Sequence, residues 1–195
     1  MKLAIAVCLL LGGVVHAQQR IPVVASPKAS ALEALAANEL SRYLARLYPG
    51  WSFPVVTSLP AAGAAVLVGT PESQPELRRL VTAERLQDPE SFVVSTAARG
   101  APTVGIIAGA DPRGALYGVY VLLERLGWSF YLSYDALPPL RPGRFTFDGW
   151  QLADAPLATD RILFDWHNFL SSASTWELED WQRYIDQGAK MRFNT

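Results

Sequence analysis

Apolar positions recur with two different periods along this chain, and the period changes mark its elements. Leu32, Leu35, Leu40, Tyr43, Leu44 and Leu47 fall mostly on one helical face, with Glu33, Glu39, Arg42 and Arg46 on the other. This pattern predicts a helix from Ala31 to about Tyr48, charged face to solvent. Ser30 can cap it and Pro49-Gly50 can stop it. The clearest single element is Asp111 to Trp128. Asp111 is a good N-cap, Pro112 suits the first helical position, and Gly127 can close the helix in a left-handed conformation. Leu116, Tyr120 and Leu123 repeat at helical spacing, widened by Val119, Leu122 and Leu126. Gly114 and Gly118, about one turn apart, leave a strip without side chains that a sheet can approach closely.

Shorter apolar runs read as strands. Ile21-Pro22-Val23-Val24-Ala25 is expected at a sheet edge because Pro22 cannot donate to a ladder. Phe53-Pro54-Val55-Val56 is a weak strand, and Ala64 to Thr70 a strong buried one. Ser91 to Thr96 and Thr103 to Ala108 flank Arg99-Gly100 and predict a hairpin. Phe145-Thr146-Phe147 alternates and predicts a last short strand, after a connector containing Pro138-Pro139 and Pro142-Gly143. A short helix is expected around Glu76 to Thr82. Two packed helices on a mixed β-sheet of about five strands define an α+β layer domain over residues 18–152.

The pattern shifts near Ala155-Pro156. Arg161-Ile162-Leu163-Phe164-Asp165-Trp166 reads as a buried strand whose end turns polar. Ser174 with Glu177 is expected to form a capping box. Leu178, Trp181, Ile185 and Ala189 then give a helix its apolar face, while Glu177, Glu179, Asp180 and Asp186 give a solvated one. Met191 to Thr195 begins another strand. A strand, a helix and a strand beginning cannot bury their own apolar faces. Residues 153–195 are therefore expected to be a linker and the first β-α-(β) of a βα barrel, truncated in this chain.

The N-terminus changes the picture of location. Lys2 precedes an apolar run from Leu3 to Val15, and Val15-His16-Ala17 suits cleavage. Residues 1–17 are expected to be a secretory signal peptide, which makes the product secreted or periplasmic, with no membrane attachment after cleavage. Cleavage removes the single cysteine, Cys8, and leaves His167 as the one remaining histidine of two. That excludes a cysteine nucleophile and a zinc site of Cys or several His. The formal charge of −1 offers no case for nucleic acid or an anionic membrane. The hydrophobic share of 50% suffices for a sizeable core.

Self-contained chemistry is not encoded in any motif. There is no Gly-x-Ser-x-Gly elbow, His-Glu-x-x-His, P-loop or Gly-x-Gly-x-x-Gly after a strand. No catalytic residue, metal or cofactor is expected. The candidate site is the strand end. In βα barrels functional side chains sit at the carboxyl ends of strands, the place of Asp165, His167 and Asn168. These residues suit sugar hydroxyls, or equally the capping of a turn or a domain interface. Arg161, at the strand's beginning, suits an interdomain salt bridge.

Three segments together carry a family resemblance: Ala36 to Leu44, Val66-Leu67-Val68-Gly69, and Ile107 to Gly118. Over about residues 20–150 the chain resembles the N-terminal domain shared by α-glucuronidases and bacterial β-hexosaminidases. Asp180-Trp181-x-x-Tyr184-Ile185-Asp186 and Arg192 to Thr195 resemble the first helix and second strand of their catalytic barrels. The resemblance implies hydrolysis of a glycosidic bond in a polysaccharide or glycan, and matches Arg161 to a substrate-binding arginine. Such enzymes need a general acid assisted by a second carboxylate or a substrate acetamido group. Those groups belong to later barrel strands, so the chain is expected to be inactive alone, its partners being the carbohydrate and its own missing C-terminal barrel. The competing reading is a secreted, non-catalytic module that binds carbohydrate or protein.

Overall fold

The structure is a computed structural model that describes residues 19–98, 103–165 and 172–195. The expected signal peptide, the Arg99-Gly100 turn, Trp166 and the candidate residues His167 and Asn168 lie outside these residues. In chain order the elements are β1 (Gln19–Arg20), β2 (Val23–Ala25), α1 (Ala31–Leu47), β3 (Trp51–Ser52), β4 (Val55–Val56) and β5 (Ala65–Gly69). There follow α2 (Pro75–Leu80), β6 (Phe92–Ala98), β7 (Thr103–Gly109), α3 (Pro112–Arg125), β8 (Ser129–Phe130), β9 (Asp135–Ala136), β10 (Leu152–Asp154) and α4 (Leu178–Lys190).

Six strands form one mixed sheet in the order β10-β6-β7-β5-β2-β4. Strands β4, β2, β5 and β7 run parallel, β6 runs antiparallel to β7, and β10 pairs antiparallel with β6 and so shares the direction of the first four. The main core lies between this sheet and α1 and α3, around Leu40, Tyr43, Leu44, Tyr120 and Trp128. Each fully buried side chain of this size contributes on the order of 1.5–3 kcal/mol by leaving water. Leu77 and Val81, in and just after α2, cover the other sheet face. The architecture is α+β, as expected, with one strand more.

Helix α3 explains why the layers sit so close. Asp111 accepts a hydrogen bond from the Gly114 amide at 2.9 Å, and Pro112 opens the helix. A Cβ on Gly114 would lie 2.3 Å from the Ser91 carbonyl oxygen, so only glycine allows this approach to the start of β6. Gly118 faces Ile107 and Phe92. Gly127 takes φ +105°, closing the helix as its sequence suggests.

Several expectations are corrected. Strand β2 is flanked by β4 and β5, so it is not an edge. Pro22 is tolerated because it precedes the strand and acts only as an acceptor, from Val66 N–H at 2.8 Å. Phe145 to Phe147 form no strand; Phe145 is instead a core side chain packed on Tyr48, Phe53 and Trp150. Leu152–Asp154 supplies the outer strand beside β6. On α1, Glu33 and Glu39 are buried while Leu32 and Leu35 are exposed. Glu33 completes a capping box with Ser30 and also accepts from the Thr70 amide and the Thr70 and Ser73 hydroxyls. Glu39 accepts from the Tyr120 hydroxyl and pairs with Arg42.

The last region differs most from its expectation. Neither 161–165 nor 191–195 forms a strand, contrary to expectation, and Ile162 and Phe164 are exposed at 59% and 72% rather than buried. One parallel link joins the first of these segments to the chain's last residue. Thr195 N–H donates to Arg161 C=O at 3.3 Å, and Leu163 N–H donates to Thr195 C=O at 2.8 Å. That alternation places Ile162 opposite Thr195 in the manner of a parallel ladder. Helix α4 joins the two segments. Its box is formed by Glu177 and Asp180, three residues beyond the expected Ser174 start, and Ser174 lies in a short 3-10 turn over Ser172–Thr175. The apolar residues Leu178 and Ile185 are 71% and 65% exposed, whereas Gln187, Gly188 and Lys190 are buried.

Candidate functional site

The parallel strands β2, β5 and β7 end on one edge of the sheet, where α1, α2 and α3 begin. Open α/β sheets place ligands in crevices at this edge. Here β7 ends at Gly109, paired with the first residue of antiparallel β6, so Glu90 reaches the same edge. A cleft of about 750 Å³ opens there, between Asp88–Glu90, Asp111–Arg113 and the chain from Pro156 to Arg161, with Asn194 and Thr195 at its side.

Glu90 is the centre of this edge. Its backbone is left-handed, at φ +60°, and its N–H donates to Asp111 at 2.7 Å. Its carboxylate accepts from Arg161, from Arg113 at 3.2 Å and from Asn194 at 3.2 Å. Burial pushes the Glu90 carboxyl up, but the hydrogen bonds from Arg161, Asn194 and Arg113 outweigh it and hold it below the ordinary value. Arg161 is further committed. Its Nε donates to the Arg192 carbonyl at 2.7 Å, its Nη1 to the Ala158 carbonyl at 2.8 Å, and its guanidinium lies 5.4 Å from the Tyr117 ring centre.

A second polar seam fastens α4 lower down. Lys190 is only 3% exposed and reaches Asp135 at 3.3 Å and Asp186 at 2.7 Å. Asp135 also accepts from the Tyr43 hydroxyl at 2.5 Å. Burial raises the Asp135 carboxyl, and the hydrogen bonds from Tyr43, Gln187 and Lys190, with the Lys190 charge, bring it below the ordinary range. Arg192 meets Glu124 of α3 at 2.8 Å.

Asp165, the remaining described candidate, sits near Tyr184 of α4. Burial raises the Tyr184 phenol, and the Asp165 charge adds to that. Trp176, Trp181 and Tyr184 form a cluster with ring centres 4.9–6.2 Å apart. Trp181 and Tyr184 also border a groove of about 410 Å³ with Leu116, Tyr117, Leu163 and Phe193. The structure therefore does not bring Arg161 into this cluster: Arg161 lies in the seam with Glu90. A glycosidase general acid needs a raised carboxyl pKa. Glu90 and Asp135 are both lowered, so their chemistry is that of fixed charges gripping cations. Among the described residues no group of three His, Cys, Asp or Glu side chains is placed to hold a metal ion.

Sequence reasoning missed Glu90, Asp135 and Lys190. Nothing local announces a glutamate in the left-handed region, and Lys190 looks like an ordinary helix-end cation. The aromatic trio was partly visible in the Trp181 and Tyr184 spacing.

Fold and seam together define a class: a mixed α+β domain on which the segment holding α4 is seated through charged contacts. The family profile of the glycosyl hydrolase family 67 N-terminus matches residues 14–122. That is more than half of the chain, and the chain belongs to this family. Among solved structures, a GH138 enzyme targeting pectin rhamnogalacturonan II aligns over 90% of this chain and 23% of its own, at 16% identity and TM-score 0.53. The GH115 4-O-methyl-α-glucuronidase BtGH115A, with specificity for decorated arabinogalactans, aligns over 57% of this chain and 14% of its own, at 19% identity and TM-score 0.46. This chain spans less than a quarter of either. No curated protein sequence matches it significantly.

Proposed function

We propose that this chain is the front part of an exported glycoside hydrolase acting on a polysaccharide or glycan, of α-glucuronidase-like or β-hexosaminidase-like type. Residues 1–17 direct export to the periplasm or the medium. The α+β domain is an accessory unit, and residues 153–195 begin the catalytic barrel. The observation that carries this reading is the parallel link between Ile162 and Thr195 across α4, with Ile162, Phe164, Leu178 and Ile185 facing outward. Such an apolar surface is what a βα array covers. On this reading Asp165, His167 and Asn168 are the sugar-contacting residues. The acid and its partner carboxylate come from later strands, so residues 18–195 alone are inactive.

The test has two arms. Purified 18–195 is assayed on aryl glucuronides and aryl N-acetylglucosaminides, with no turnover expected. The coding sequence after Thr195 is then read and expressed in continuation. Restored hydrolysis, lost when paired barrel carboxylates are changed to amides, supports the proposal; a continuation without a βα barrel sinks it.

The Trp176–Trp181–Tyr184 cluster beside Asp165 favours a second reading, a carbohydrate-binding module without catalysis. Retention of 18–195 on an oligosaccharide column, lost in His167→Ala, would favour it over the first.

A further inference from the structure

The cleft at the carboxyl edge of the sheet has the position of a ligand site, yet its central carboxylate is already engaged. Glu90 holds a conformation that non-glycine residues adopt at a cost, and such outliers persist where the surroundings require them. The requirement is visible. The left-handed turn brings the Glu90 N–H to Asp111, the cap of α3, and its carboxylate to Arg161 and Asn194. Arg161 and Asn194 come from the two segments that flank α4. They are also tied to each other: the Arg161 N–H donates to the Asn194 side chain at 2.9 Å, and the Asn194 N–H to the Arg161 carbonyl at 3.0 Å.

We infer that this edge is a socket whose occupant is the chain itself. The Arg161 guanidinium, backed by Asn194, plugs onto Glu90 and sets the position of α4 and its two flanking segments on the α+β domain. Arg161 is thus a positioning residue, acting through the seam. The planar fork suits the role, because it serves Glu90, the Ala158 carbonyl and the Arg192 carbonyl at once. The inference concerns the chain as it stands and does not depend on the proposed hydrolase activity.

Hydrogen–deuterium exchange on 18–195 tests it. An isolated helix the length of α4 is marginal in water, so release of the plug appears as fast exchange of α4 amides. Arg161→Ala is expected to speed α4 exchange at least about tenfold while β5 and β7 amides stay protected. Glu90→Gly is the sharper variant. Glycine relaxes the left-handed backbone, so the α+β domain keeps or gains protection, while the lost carboxylate frees α4 as Arg161→Ala does. In the double variant Glu90→Gly/Arg161→Ala, α4 exchanges no faster than in the faster single variant, because one contact has been removed twice. Unchanged α4 exchange in both single variants overturns the inference. So do fully additive effects, or loss of β5 and β7 protection in Glu90→Gly.

Discussion

The two ends of this molecule bury opposite kinds of residue. Between Val23 and Trp150 the inward positions are Val, Leu, Ile and aromatic side chains, with carboxylates such as Glu33 and Glu39 buried only where hydrogen bonds await them. In α4 the inward positions are Gln187, Gly188 and Lys190, and the outward ones include Leu178 and Ile185. The first region is held by apolar area, which is indifferent to direction. The second is held by charged contacts, which fix direction but add little net stability once the ions' lost hydration is counted. Helix α4 is therefore being oriented rather than anchored: Trp181, Tyr184 and Ala189 are half-buried beside Leu116 and Tyr117, while Leu178 and Ile185 stay exposed.

The comparison breaks most visibly in the first core. Leu40→Ala or Trp128→Ala is expected to destabilise the whole chain by about 3–5 kcal/mol in denaturant titration. A loss under about 1 kcal/mol would mean that the core is not where the structure puts it. Next comes close packing. Gly114→Ala forces a methyl against the Ser91 carbonyl and is expected to cost about 1–3 kcal/mol, read as a lower melting temperature.

Acid sharpens the contrast. The Glu90 and Asp135 carboxyls are lowered below 4.5 and 3.8, their ordinary values. Groups with depressed folded pKa values contribute fully above the unfolded values and lose that contribution as pH falls through the folded ones. Exchange of α4 amides should thus accelerate as pH drops below about 4, after correction for intrinsic rates. The β5 and β7 amides should hold to lower pH. The smallest effect is expected on the outward face. Leu178→Gln or Ile185→Gln should change stability by within about 0.5 kcal/mol and reduce self-association by light scattering. A loss above about 2 kcal/mol would show that face to be buried.

What could be read from the sequence was what neighbouring residues decide. The cap of α3 at Asp111, the close-approach glycines and the Gly127 stop are all settled within a few residues, and each stands in the structure. The Phe92–Ala98 and Thr103–Gly109 pair was legible for the same reason. What failed needed distant partners. Glu39 looks solvated until Tyr120 is brought to it from 81 residues away. Pro22 looks like an edge signal until its neighbour Val66 supplies the donor. The apolar stripe of α4 was visible, but not that Leu178 and Ile185 would stay exposed while Trp181 and Ala189 are half-buried, because that depends on the distant partners Asp135 and Glu124. Of the candidate residues, Arg161 could be read as either an ion pair or a sugar ligand, and the geometry sets it in an ion pair with Glu90.

On the reading proposed above, the backbone link at Thr195 has a consequence for how a barrel would assemble. Parallel sheets assemble slowly because each new strand must first pay the entropy of closing a long crossover. A backbone pairing already made on a folded neighbour, as between Ile162 and Thr195, removes the first and least favourable of those closures. Polypeptide arriving beside Thr195 would meet a template with its register chosen in advance. The α+β domain would then serve its successor in the way a starter course of bricks serves a curved wall.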